Sequence, residues 1–127
     1  MVNTMAIRLP ASEWQNAMHW IKAQPAKSHV LADPGHAWKY GTSVRVAAER
    51  DVFLEEVKDA AIAIYSRDVA LRYNERNLAV GDFNQLSAER VSELAARYDL
   101  DYLVAEADFP LRLAYRNARF KVYSLEQ

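Results

Sequence analysis

A chain of 127 residues, 51% hydrophobic and 26% charged, has the composition of one globular domain and not of a disordered segment. Its 16 basic and 17 acidic residues leave a net charge of −1, so no global field draws in nucleic acid or an anionic membrane surface, and no nucleic-acid partner is expected. Cysteine is absent, which excludes disulfides and thiolate metal sites; no apolar run reaches the length of a membrane span, and the first ten residues lack the apolar core of a signal peptide.

Residues 1–11 read as a leader or linker ended by Pro10, and residues 12–127 as a single α/β domain. Ser12 with Gln15 three residues on makes a capping box. Trp14, Ala17, Met18 and Ile21 then fall at i, i+3, i+4 and i+7, one apolar helical stripe that Pro25 terminates. Val30-Leu31-Ala32 is a short strand running into the turn Asp33-Pro34-Gly35. Residues 37–49 are expected to be helical in part, because parallel strands need a crossover; the alternation of Val44 and Val46 leaves an extra strand at 43–47 as the other reading.

The chain is read as organised around its next stretch, Arg50 to Asp59. Val52-Phe53-Leu54 reads as a buried strand that emerges into Glu55, Glu56, Lys58 and Asp59. Beyond it a long helix is expected over 59–79, with Ala60, Ala61, Ile64, Leu71 and Leu78 keeping a broken period, a bend at Arg67-Asp68 and a stop at Gly81. Ser87 caps a further helix with Leu86 and Val91 as a hydrophobic staple, burying Val91, Leu94, Ala95 and Tyr98. Tyr102-Leu103-Val104 is a strand with Glu106 beyond its end. Two closing strands, 112–115 and 120–125, flank a turn in which Asn117 can take positive φ. In the last strand Phe120, Val122 and Ser124 take one face, and Lys121 and Tyr123 the other. The order helix, strand, helix, strand, helix, helix, strand, hairpin predicts an α/β fold: a three-layer, Rossmann-like, mainly parallel sheet with helices on both faces and a C-terminal antiparallel hairpin.

Chemistry-bearing patterns are few. Three glycines, none in a phosphate-cradling spacing, argue against a dinucleotide or P-loop site. His19, His29 and His36 are not at metal-ligand spacing, so no metal is expected. Glu56-Val57-Lys58, with Asp33 or Asp51 as the upstream carboxylate, fits the Glu-x-Lys pattern of divalent-metal nucleases, in which acidic groups hold a hard cation and a lysine steadies the attacking water. Glu55 and Glu56 are adjacent and point to opposite faces of a strand. Trp38-Lys39-Tyr40 offers rings to a sugar or a base, and is read here as packing beneath the sheet edge. Ligands of open α/β sheets meet the strands beyond their carboxyl ends, which makes Asp33, His36, Lys39, Glu55, Lys58 and Glu106 the binding candidates. Arg50 is read as pairing with a carboxylate for structural reasons.

The succession Glu13-Trp14-Gln15-Asn16-Ala17-Met18-His19-Trp20-Ile21-Lys22, His29-Val30-Leu31-Ala32-Asp33, Arg50-Asp51-Val52-Phe53-Leu54-Glu55-Glu56-Val57-Lys58, Leu94-Ala95-Ala96-Arg97-Tyr98-Asp99-Leu100-Asp101-Tyr102-Leu103-Val104 and Phe120-Lys121-Val122-Tyr123 resembles, in order and spacing, a family of soluble tail domains. These are the C-terminal extracytoplasmic domains of bacterial multi-pass membrane proteins related to lipid-linked-sugar (GT-C type) glycosyltransferases. The resemblance spans Ser12 to Leu125. It implies a non-catalytic accessory domain, outside the cytoplasm, that packs on or shapes a membrane-embedded site. Its partner would be the membrane portion of the parent protein or a neighbouring membrane protein. No catalytic residue carries over, because that superfamily's catalytic carboxylates lie in loops of the membrane portion, and no cofactor is implied. A divalent-metal nuclease and a free-standing small-molecule binding module are the alternatives.

Overall fold

A computed structural model describes residues 12–55 and 66–125. In chain order the elements are α1 (Glu13–Lys22), β1 (His29–Leu31), α2 (His36–Tyr40), α3 (Val44–Ala47), β2 (Asp51–Val52), α4 (Arg67–Val80), a 3₁₀ turn (Phe83–Gln85), α5 (Ala88–Tyr98), β3 (Tyr102–Ala105), β4 (Arg112–Arg116) and β5 (Lys121–Ser124).

The capping box at α1 is complete. Ser12 Oγ accepts from the Gln15 amide at 3.0 Å, and Gln15 Oε1 accepts from the Ser12 amide at 3.1 Å. The stripe Trp14, Ala17, Met18 and Ile21 is buried. Arg50 has a different duty from the one expected. It pairs with no carboxylate in the described residues; its Nη2 donates to the carbonyls of Lys22 at 2.6 Å and Gln24 at 2.5 Å, just where α1 ends. Helix C-termini leave carbonyls without intrahelical partners; the two N–H bonds of Nη2 meet two carbonyls at once, while Nη1 donates to the Glu49 carbonyl at 2.9 Å. The nearby carboxylate, Glu49, pairs with Lys22 instead.

The stretch 37–49 is helical in part, as two short helices, and the extra strand at 43–47 does not form. Gly41 at φ 91° ends α2, and the Ser43 side chain caps α3 by accepting from the Val46 amide. The alternation of Val44 and Val46 arises because residues two apart on a helix point apart: Val44 is fully buried and Val46 faces solvent.

The five strands form one sheet in the order β2-β1-β3-β5-β4. β1 is parallel to β2, with Val30 opposite Val52, and parallel to β3, with Leu31 opposite Leu103. β5 is antiparallel to both β3 and β4. The sheet is therefore mixed, and not mainly parallel as expected, because the closing hairpin joins it along the whole of β3. β2 is also shorter than expected: Phe53 still donates its amide to the Val30 carbonyl at 2.8 Å, after which the chain leaves the ladder.

Neighbouring strand residues feed different cores. Val30, Val52, Val104 and Val122 join α1 and Val44 in one cluster; Leu31, Phe53, Leu103 and Tyr123 join α4 and α5 in another. At β1, β2 and β3 both sides are thus buried, which is why these strands read as continuous apolar runs, whereas β4 is largely exposed. The expected division of β5 is observed, with Phe120 and Val122 on the α1 side and Tyr123 opposite.

The second half departs in several details. The expected helix over 59–79 is seen from Arg67, with Ser66 as its cap, and residues 59–65, on which the expected bend also depends, lie outside the described residues. Gly81, at φ 62°, closes α4. Only Ala79 and Val80 of α4 are fully buried; Leu71 and Leu78 point outward, at 57% and 82% exposure. Ser87 caps α5, which buries Val91, Leu94 and Ala95; Tyr98, expected on the same face, is only partly buried at the end of the helix. Asn117 turns the hairpin without positive φ, a conformation found only at Glu49 and Asp99 among described non-glycine residues. Its Oδ1 accepts the amides of Arg119 and Phe120 at 3.0 and 2.8 Å, so its side chain replaces a backbone turn bond. Its Nδ2 donates to the Glu13 carbonyl at 2.8 Å and ties the hairpin to α1.

Candidate functional site

From β1 the chain passes to β2 on one side and then to β3 on the other. Where parallel neighbours diverge in this way, the connections leave a crevice beyond the carboxyl ends of the two strands. Asp33 follows β1 and Glu106 follows β3, so both stand at this crevice.

The β1 side is set by a turn. The Asp33 carbonyl accepts from the His36 amide at 2.9 Å, and Asp33 Oδ1 accepts from the Gly35 amide at 2.9 Å. The carboxylate is thereby held while Oδ2 forms an ion pair with Lys39, six residues on in α2. His36 lies beneath, fully buried. Its Nδ1 meets the Asp33 carbonyl at 2.8 Å and its Nε2 meets the Val44 amide at 3.1 Å. A carbonyl can only accept and an amide N–H can only donate, so the ring is neutral with its proton on Nδ1. Burial holds its pKa below the ordinary histidine value, against the opposing pull of the Asp33 carbonyl and nearby carboxylates. Both nitrogens are used by the chain, so His36 clamps α2 to the start of α3 and does not face the crevice.

The β3 side is a denser network. Glu106 Oε2 accepts from the Tyr40 hydroxyl at 2.7 Å and Oε1 from Arg119 Nε at 2.8 Å. These two donors, Arg119 first, hold the Glu106 carboxyl below the usual carboxylate range. Burial, then Glu106, push the Tyr40 phenol up. The Arg119 guanidinium also lies 5.1 Å from the centres of the Tyr40 and Phe120 rings. Lys121 donates to the Glu106 carbonyl at 2.8 Å and pairs with Asp108 at 3.3 Å. The Tyr123 hydroxyl accepts the Phe109 amide at 2.9 Å, which fixes the loop that closes this side.

Two adjoining hollows of about 540 and 400 Å³ open here and share Asp33, Lys39, Phe83 and Asn84 in their walls. The first reaches Trp38 and, on α4, Asn77; the second reaches Tyr40 and Glu106. Trp38 does not pack beneath the sheet edge: it is 85% exposed at the first hollow. Its neighbour Tyr40 does pack, 4.6 Å from Trp14 and 4.9 Å from Phe120 between ring centres.

The structure thus brings Asp33, Lys39 and Glu106 together. It separates Glu55, which is buried 3.6 Å from Arg45 beyond β2. Glu56 and Lys58 lie outside the described residues. Asp51 sits opposite His29 at the start of β2, 3.8 Å from His29 Nε2. The two upstream carboxylates of the nuclease reading, Asp33 and Asp51, therefore stand at opposite ends of the parallel strands. No group of three or more metal-ligating side chains positioned to hold an ion occurs among the described residues. None of the described helices is long and apolar enough to cross a membrane.

Sequence reasoning missed Arg119, Asn77 and Asn84. Arg119 reaches Glu106 only because β5 pairs with β3, and the asparagines reach the crevice only through the end of α4; no local pattern carries either. A scan of family models, a search of curated proteins and a search of solved structures found nothing that matches this chain.

Proposed function

We propose that this chain is a non-catalytic binding domain, built as a three-layer Rossmann-like sandwich, with its recognition site in the crevice beyond β1 and β3. Following the resemblance, it serves as the extracytoplasmic accessory domain of a glycosyltransferase-like membrane protein and packs on or shapes the membrane-embedded site. The observation that carries the binding reading is the pairing of charges at the crevice. Asp33 with Lys39, and Glu106 with Arg119, are matched partners. Glu106 is held ionised and Tyr40 protonated at neutral pH. A general acid or base works best with a pKa near the operating pH, and these groups are moved away from it. The parallel order β2-β1-β3 and the two helix-covered clusters support the layered fold.

Two measurements test the reading. The reading frame upstream of Met1, or the adjacent gene, should encode multiple membrane spans, and the membrane portion should retain this chain on an affinity column. A neighbourhood without spans removes the membrane role. The purified chain should leave plasmid DNA intact with Mg²⁺ or Mn²⁺; cleavage that is lost in Glu56→Ala would replace the binding reading with the nuclease one.

A further inference from the structure

We infer that the ligand of this crevice is a neutral polyhydroxylated molecule, a saccharide whose ring lies on the face of Trp38. The inference rests on the reading of the crevice as a binding site and adds the chemistry of what enters.

Charge comes first. Among the described residues Lys39 is the only cation lining either hollow, and it is paired with Asp33. Arg119 and Lys121, at the margin, are committed to Glu106 and Asp108. Among the described residues a phosphate or carboxylate would therefore meet no unpaired cation, and it would face Asp82 in the first hollow. Burying an ion without a partner is costly, so an anionic nucleotide is disfavoured. A cationic amine fares little better. Asp33 and Glu106 already hold cations, while Asp82 is exposed to water and its Oδ1 accepts the Asn84 amide at 3.0 Å.

Polarity comes next. The carboxylates only accept hydrogen bonds and Lys39 only donates, while the amide side chains of Asn77 and Asn84 do both. Hydroxyl groups, which donate and accept, satisfy such a wall without adding charge. Shape comes last. Trp38 presents its indole almost entirely to solvent at the mouth of a hollow of about 540 Å³, a volume within the range of small-molecule sites. One face of a pyranose ring carries several C–H groups and is apolar, and it matches an aromatic face. Trp38 at the mouth and the asparagines in the wall give the two surfaces that such a ring needs.

The test is isothermal titration calorimetry of the full chain with glucose, mannose, N-acetylglucosamine and maltose, alongside ADP and putrescine. The inference expects saturable binding of at least one saccharide and none of ADP or putrescine. Trp38→Ala and Asn84→Ala should each weaken that binding about tenfold or more, a loss typical of an aromatic anchor or a uniquely paired polar group, while far-UV circular dichroism stays unchanged because both residues are exposed. Binding of ADP or putrescine in place of any saccharide overturns the ligand class and leaves the binding-domain reading standing. Saccharide binding that is unaltered in both variants overturns the site. No heat with any saccharide overturns the inference, while the binding-domain reading is decided separately by retention on the membrane portion.

Discussion

Replacing His36 tests the best-defined polar contact in the fold. The ring is fully buried, and it joins the Asp33 carbonyl at 2.8 Å to the Val44 amide at 3.1 Å. His36→Ala removes both bonds and opens a cavity beside Trp14, whose ring centre is 5.7 Å away. The Asp33 carbonyl keeps the His36 backbone amide as a donor, but the Val44 amide, at the first position of α3, is left buried without a partner. An orphaned buried donor costs about 1–3 kcal/mol, and the emptied volume adds about 1–2 kcal/mol, so the loss should be about 2–5 kcal/mol. His36→Gln, whose amide oxygen can accept from Val44, should recover a good part of it. Acid should act on the same contact. The folded-state pKa of His36 lies below the unfolded value of 6.5, so the unfolded chain binds the proton first as pH falls. Stability is then unaffected above about pH 7 and declines from about pH 6.5 downward until the folded ring also protonates, at up to about 1.4 kcal/mol per pH unit for one proton. His29, also lowered by burial, adds to the slope. Urea unfolding at pH 7.5 and 5.5 measures both effects. A loss under about 0.5 kcal/mol in His36→Ala, or an undiminished pH slope in His36→Gln, would refute the clamp and its tautomer.

Other outcomes follow from contacts already described. Arg50→Ala should lower stability by about 1–2 kcal/mol through loss of its bonds to the Lys22, Gln24 and Glu49 carbonyls, and Arg50→Lys should recover less than half, because one ammonium does not replace both guanidinium nitrogens; thermal melts of the three proteins decide it. Tyr40 holds its proton more tightly in the folded chain than in the unfolded one, so stability should fall as pH rises above about 10, and Tyr40→Phe should flatten that fall in alkaline urea titrations. Leu78→Ser should change stability by no more than about 0.5 kcal/mol, since the side chain is 82% exposed. A large loss by calorimetry would show that α4 is covered in the isolated chain.

The parts of this fold legible in sequence are those fixed within a few residues. The Ser12–Gln15 box, the Ser87 cap and the Gly81 stop are local hydrogen-bonding devices, and each stands where it was expected. The parallel pairing of Val30 with Val52 followed from helical crossovers between apolar runs. What was not legible depends on partners far along the chain. Arg50 could not be assigned to the end of α1 without knowing that β2 starts beside it. β5 reads as a hairpin strand, and nothing in its residues says that it lies against β3 and makes the sheet mixed. The crevice shows the same division. Asp33, Lys39 and Glu106 were found because strand ends are predictable from apolar runs, whereas Arg119 and the asparagines came with the tertiary arrangement. His36 was misjudged because a polar residue after a strand has the same sequence signature whether it turns outward or inward.

The irregularity between Leu113 and Tyr115 in β4 has a bearing on how copies of this chain behave when crowded together. Outermost strands invite another chain to continue the ladder, and fibrils grow in that way. Here the outer rail is kinked and ends in Arg112 and Arg116, while the opposite rail, β2, offers two residues. Removing Ala114 would straighten the rail, and the shortened chain should be the one that gels or binds amyloid dyes at concentrations where the parent stays clear.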